Sequence, residues 1–393
     1  MKAANYALGK NAASSRLNAL LQWIDNHAEE MLADPARGLE AIGVGKKNAD
    51  SLRASDADWC IVGYVAEKLP EKVLSKRNVT AFSTAATIDD REALGDHEID
   101  VVSCGSSFRA QPGMNVPIAQ RGAHGGQPPA VDLQDRFDSI RIGLGITNPV
   151  GSYPDSLSVG TLGFCVRDDD GRTYLVSNNH VIGRENKAQI GNAIVQPGTL
   201  DLTRTELNMM SSLPRLRRRL QIAKVSAVVD IRFGWSSFNE VDAAVAEFDA
   251  ESDSGRRLNE LSRIGFGSTA RGIAAPYMVD ADGNLEGDDR VYKAGRTTGW
   301  TEGNISAIGV ASNVQYSAGV ARFRNQIAIT PTPDNNGPFS NPGDSGSGIW
   351  NTDNELVGLL FAGSTSRTLA NPIDLVLPEI EAELGRGRLA LIT

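Results

Sequence analysis

From residue 136 onward the apolar residues come in short runs that stop at turn residues, a pattern that leaves little besides a mainly β fold. Gly160-Thr161-Leu162-Gly163-Phe164-Cys165-Val166 ends in the turn Asp168-Asp169-Asp170-Gly171, and Tyr174-Leu175-Val176 follows it directly. Forty glycines against 6% aromatic residues fit an architecture of many strands and many reversals.

The segment ahead of this region reads differently. At 393 residues the chain is long for one domain, so two units are expected. Between Ser15 and Ala33, the residues Leu17, Leu20, Leu21, Ile24, Ala28 and Met31 fall on one face of a helix. Ser14 or Ser15 can cap its start and Pro35 closes it. Trp59 to Val65 and Ile99 to Val102 read as strands, so residues 1–104 are expected to form a small α+β unit. Residues 105–135 are rich in Gly, Pro and Gln, as in Gln111-Pro112-Gly113, and are expected to form a linker. Residues 136–393 then form the β domain, closed by a short helix over Pro378 to Leu384. The basic cluster Arg215, Arg217, Arg218 and Arg219 reads as a solvated face or, alternatively, a docking patch. Gly43-Val44-Gly45-Lys46 lacks the spacing and the hydroxyl of a phosphate loop.

Charge and cysteine usage narrow the partners. A net charge of −9 argues against nucleic acid and gives no reason to expect an anionic membrane surface. No run approaches the length of a membrane span, and the N-terminal Ala19-Leu20-Leu21 is interrupted too soon for a secretion signal. Cys60, Cys104 and Cys165 show no metal-binding spacing, and an odd number suggests three buried thiols in a reducing cytoplasm. No metal and no organic cofactor is expected.

Three motifs carry chemistry. Pro342-Gly343-Asp344-Ser345-Gly346-Ser347-Gly348 combines a hydroxyl with the glycines of a tight turn. Such a turn aims the N–H groups of Gly343 and Ser345 at one point, where a developing oxyanion would sit. A serine hydroxyl needs a base. His180 is one of four histidines, and it directly follows a predicted strand. His27 lies in the N-terminal helix, His97 beside Asp96 and Glu98, and His124 in the linker. The third motif is Asp242, entering the apolar run Ala243-Ala244-Val245-Ala246. A carboxylate there is costly unless paired, and orienting His180 is a suitable role. The order His, Asp, Ser excludes the subtilisin and α/β-hydrolase arrangements.

Ser177-Asn178-Asn179-His180-Val181, Asp242-Ala243-Ala244-Val245 and Gly343-Asp344-Ser345-Gly346 resemble the three motifs of trypsin/chymotrypsin-like serine peptidases, with Asn179 where many have alanine. More narrowly, the chain is similar to intracellular bacterial trypsin-like proteins related to plant narrow-leaf proteases. Lys293-Ala294-Gly295-Arg296-Thr297-Thr298-Gly299, Gly358 to Ser364 and Ala370-Asn371-Pro372-Ile373 carry that likeness. The resemblance implies a chymotrypsin-like double β-barrel of two six-stranded barrels, with the triad between them. It implies a serine endopeptidase acting through an acyl-enzyme, with peptide or protein as substrate. Phe361, Ala362 and Gly363 would line the substrate cleft. Phe339 stands where trypsin has the acid that selects Arg or Lys, so a small or apolar residue is expected before the scissile bond. In secreted relatives a newly cut N-terminus pairs with the acid before the serine, here Asp344. Cleavage near the linker, or a hole formed without such a pair, are both open. Arg296 is expected to be a structural or regulatory arginine, or else part of a surface hairpin. The alternative function is a protease-fold interaction module whose triad is silent or used once for self-processing. Any homo-oligomer contact is assigned to the N-terminal unit.

Overall fold

The computed structural model describes residues 12–33, 38–53, 58–67, 99–110, 133–149, 158–203, 205–208, 218–249, 256–275, 278–279, 285–286, 288–335 and 337–393. His97, His124, Arg215 and Arg217 lie outside these residues. Among the described residues no helix is long and apolar enough to cross a membrane.

Two sheets organise the molecule. The N-terminal part supplies helix α1 (Ala12–Ala33) and strands β1 (Leu39–Lys46), β2 (Trp59–Val65), β3 (Ile99–Ser103) and β4 (Arg109–Ala110). Next come β5 (Phe164–Arg167), β6 (Thr173–Ser177), β7 (Ala193–Val195), β8 (Gln221–Val228), β9 (Phe238–Asn239), β10 (Ala244–Phe248) and β11 (Gly272–Ile273). The last part holds β12 (Arg290–Gly295), β13 (Gly299–Tyr316), β14 (Gly319–Pro331), β15 (Gly348–Asn351), β16 (Glu355–Gly363), β17 (Thr368–Pro372), helix α2 (Ile373–Leu384) and β18 (Ala390–Leu391).

The first sheet has six strands in the order β18-β5-β6-β10-β8-β7. Its core gathers Phe164, Leu175, Val176, Val225 and Val245, and Ile373, Val376 and Ile380 of α2 close one side. Among the described residues the second sheet has twelve strands. Six of them, β12-β13-β14-β17-β16-β15, form a closed ring, because β13 also pairs with β14. This is the expected double-barrel architecture, with further strands added to the second sheet outside the ring.

Strands of the N-terminal region extend the second sheet. The long strand β13 pairs with β12 through Gly299–Asn304, and further along it pairs with β1 through Ala307, Ile308, Ala311 and Ser312. Leu17, Leu20, Ile24, Ala28 and Met31 of α1 pack into one core with Ile42 and Val44 of β1 and with Ile305, Ile308, Ile327 and Ile329 of the barrel. Gly309, at φ +57°, leaves the space that the Leu21 side chain occupies. Among the described residues, the apolar face of α1 is covered by β1 and by the barrel. The expected linker is structured at its start, where Arg109–Ala110 form β4. Gly43 to Lys46 lie within β1, and the Lys46 ammonium sits 4.5 Å from the centre of the Trp59 ring. The terminal helix begins at Ile373, earlier than expected, with Pro378 inside it.

Candidate active site

The two sheets meet where the three motifs converge. His180 follows the end of β6, in a wide helical turn over Asn179–Gly183, and Asp242 lies just ahead of β10, which pairs with β6. Ser345 precedes β15 of the other sheet. The nucleophile turn also bonds outside its own sheet: the Ser345 carbonyl accepts the Thr161 N–H at 2.8 Å. At Gly346, φ +91°, a Cβ would stand 2.2 Å from Ser177 Oγ and 2.4 Å from Thr161 O. Only glycine fits that approach, so the nucleophile turn is held against the strand that carries His180.

His180 Nδ1 lies 2.5 Å from Asp242 Oδ2, and the His180 N–H donates to Asp242 Oδ1 at 3.2 Å. Both side chains are buried. An ionised carboxylate only accepts, so Nδ1 carries the proton and Nε2 is left as the acceptor. His180 Nε2 is buried and has no hydrogen-bond partner among the described residues. A buried polar atom without a partner is uncommon. The Ser345 hydroxyl donates to Phe361 O at 3.4 Å in this state.

Asp242 has a further donor that the sequence did not reveal. The Tyr316 hydroxyl, at the end of β13, donates to Asp242 Oδ2 at 2.9 Å, and its ring stands edge-on to the His180 imidazole at 5.8 Å. Burial and the neighbouring Asp242 carboxylate push the Tyr316 phenol well above 10, so it remains a donor. Tyr316 is itself held in place. The Glu185 carboxylate accepts from Ser317 N–H, Ser317 Oγ and Ala318 N–H in the hairpin that follows it. Arg184, Glu185 and Asn186 all have positive φ, a costly run for residues with side chains. Asn179 bonds Asn186 and Val229 O, and Asn186 bonds Ile231, which holds this run in place. Removing the phenol oxygen in Tyr316→Phe should lower kcat by about ten- to a hundredfold with little change in KM, the scale of one hydrogen bond to a charged group. Steady-state kinetics on a peptide substrate check this, and an unchanged kcat would show that the hydroxyl does not act through Asp242.

The acid before the serine already has a cation beside it. Asp344 is fully buried, with Lys293 Nζ at 3.7 Å. Its oxygens also accept from Thr297 N–H at 2.8 Å, Thr298 N–H at 3.1 Å, Thr298 Oγ1 at 2.7 Å and Asn341 N–H at 2.9 Å. The ammonium donates to Thr298 Oγ1 at 2.5 Å and Gly299 O at 3.1 Å. Burial pushes Lys293 below its ordinary 10.5, and Asp344 opposes that shift. In this structure the counter-charge beside Asp344 comes from Lys293 of β12.

Arg296 is a buried residue rather than part of a surface hairpin. Its guanidinium makes a close, two-pronged pair with Asp201, and its N–H donates to Thr161 Oγ1 at 3.0 Å. The same threonine hydroxyl donates to Gly343 O at 2.9 Å, which fixes the peptide after that glycine. Gly343 has φ +102°. Phe361, Ala362 and Gly363 end strand β16, running on from Leu360, whose carbonyl accepts the Gly346 N–H at 2.9 Å. The Phe339 ring is 1% exposed and packs among Ile305, Ile329 and Ile349 of the second barrel's core. Cys60, Cys104 and Cys165 are unpaired and buried.

A comparison with curated proteins found no similar sequence. Among solved structures, Thermobifida fusca protease A is 16% identical, covers 65% of this chain and 99% of its own length, and has a TM-score of 0.38. Nocardiopsis protease is 18% identical over 65% of this chain and 100% of its own, with a TM-score of 0.37. Cellulomonas bogoriensis chymotrypsin is 20% identical over 65% and 99%, also at 0.37. The family model described as a trypsin-like peptidase domain matches residues 160–359, which hold His180, Asp242 and Ser345 and make up half of the chain. By that match the chain belongs to the trypsin-like peptidase domain family.

Proposed function

We propose that the protein is a serine endopeptidase in which His180, Asp242 and Ser345 form the triad. The observation that carries this reading is the buried His180 imidazole, bonded to Asp242 through Nδ1 and with Nε2 unpartnered among the described residues, three residues after Ser177, against whose Oγ the Gly346 turn packs. Ser345 Oγ attacks the peptide carbonyl as His180 Nε2 takes its proton, and the Gly343 and Ser345 N–H groups receive the oxyanion. His180 then protonates the leaving amine as the C–N bond breaks. Water repeats the sequence on the acyl-enzyme and frees Ser345. Asp242 keeps the imidazole in its Nδ1–H form throughout.

Phe361, Ala362 and Gly363 are the proposed backbone partners of an extended peptide. Phe339 brings no carboxylate to its position, which supports cleavage after small or apolar residues. Residence in a reducing cytoplasm belongs to the same proposal and rests on the three unpaired cysteines, and kinship with the intracellular bacterial group rests on the motifs at residues 293–299, 358–364 and 370–373. Digestion of a diverse peptide library is the test. Internal cuts after small or apolar residues support the reading, dominant cuts after Arg or Lys contradict the preference, and hydrolysis of esters alone contradicts endopeptidase action.

A further inference from the structure

The strand edge nearest Ser345 is already taken. Ser345 Oγ lies 3.4 Å from Phe361 O, and from there Ala362 and Gly363 lead away from the hydroxyl along β16. An extended peptide that offers a carbonyl to Ser345 needs backbone partners beside it, and this edge is the closest available. On one side of β16, β17 pairs with Ala362 and Gly363 through Leu369 and Thr368. On the other side β15 reaches only to Leu359. Beyond that point β4 pairs antiparallel with β16, with Ala110 opposite Ala362 and Arg109 opposite Gly363. The chain direction from Arg109 to Ala110 therefore leads towards Phe361 and the nucleophile, as a peptide substrate must.

This segment is anchored rather than merely nearby. β4 also pairs with β13, through Arg109 and Gln315, and the Gln315 N–H donates to Phe108 O at 3.0 Å. Phe108 is fully buried in a cluster with Tyr64, Phe323 and Phe361. Ser106 Oγ accepts from Thr365 N–H at 3.1 Å, and the Cys104 N–H donates to Val65 O at 2.8 Å. An edge can pair with one strand at a time, so peptide docking and β4 pairing exclude each other.

Resting on the endopeptidase reading, we propose that residues 104–110 are an internal inhibitory strand. They hold the peptide-docking edge of β16 in the pairing a substrate would make, and cleavage requires their release. When only a fraction of molecules has the edge open, apparent affinity for peptide falls by that fraction.

The test compares the full chain with Phe108→Ala, which removes the anchor, and Arg109→Pro, which removes a backbone N–H from a strand paired on both sides. The Arg109 side chain is exposed, so the second variant keeps the core intact if the first fails to fold. Alkylation of Cys104, whose thiol burial pushes up to about 11, reports that the strand has left, and continued protection of Cys165 reports that the barrels remain folded. Both variants should gain about tenfold or more in kcat/KM on extended peptides. Labelling of Ser345 by a small fluorophosphonate, which needs no strand pairing, should stay within about twofold of the parent. Cys104 exposed and Ser345 labelled, with no gain in peptide cleavage, would overturn the inhibitory strand alone. Absence of Ser345 labelling in all three folded proteins would instead contradict the serine nucleophile, and the strand's role with it.

Discussion

Gly343→Ala is expected to lower kcat by about 10²–10³-fold, the loss typical of one oxyanion donor. Two facts set this expectation. Gly343 has φ +102°, where a side chain is strained. A Cβ there would also meet Thr297 Oγ1 at 2.3 Å and the Arg296 side chain at 3.5 Å. Neither neighbour can give way cheaply: Thr297 Oγ1 donates to Pro342 O at 2.8 Å, and Arg296 is fixed by Asp201. The Gly343 amide must turn instead, and it leaves the position the oxyanion needs. Gly171→Ala is the control, because its φ of +85° is equally strained but nothing lies within 4 Å of the added carbon. Kinetics on one peptide should show a fall in kcat for the first variant and none for the second. Equal effects would mean that backbone strain, rather than the hole, is being measured.

Lys293→Met should destabilise the protein by about 3–5 kcal/mol, since it leaves the Asp344 carboxylate buried without its cation. The pair is fully enclosed, so solvent screening does not reduce this figure. Urea denaturation measures the change, and adding Asp344→Asn to the same chain should recover part of it by removing the stranded charge. An additive double variant would show that the two residues are not coupled. Activity should fall as well, because Asp344 neighbours both proposed oxyanion donors. A pH dependence follows from the same pair. Burial holds Lys293 below its ordinary 10.5, so raising the pH removes the ammonium earlier than in an exposed lysine. Activity should therefore decline reversibly on the alkaline side before 10.5 is reached.

The parts of the site legible in the sequence are those written in adjacent residues. Gly343 to Gly346 describe a turn by themselves, and His180 and Asp242 each stand at the end of an apolar run that the structure pairs as β6 and β10. The helix face from Leu17 to Met31 was equally plain, because a period of 3.6 is a local property. What covers that face was not, since β1 meets β13 across more than two hundred residues of sequence. Tyr316 and Lys293 were hidden for the same reason. Each acts through one contact with a residue far away in the chain, and neither residue type in its local setting points to that partner. The segment Gly105 to Ala110 read as linker because its composition is polar and glycine-bearing, yet its two-residue strand is imposed by the edges of β13 and β16.

The central claim is that Ser345 is a nucleophile activated by His180. Labelling the purified full-length chain with a fluorophosphonate, beside Ser345→Ala and His180→Ala, tests it most directly. One adduct is expected, on Ser345, and it disappears in both variants. A folded parent protein that takes no label, or a label that persists in Ser345→Ala, would contradict it.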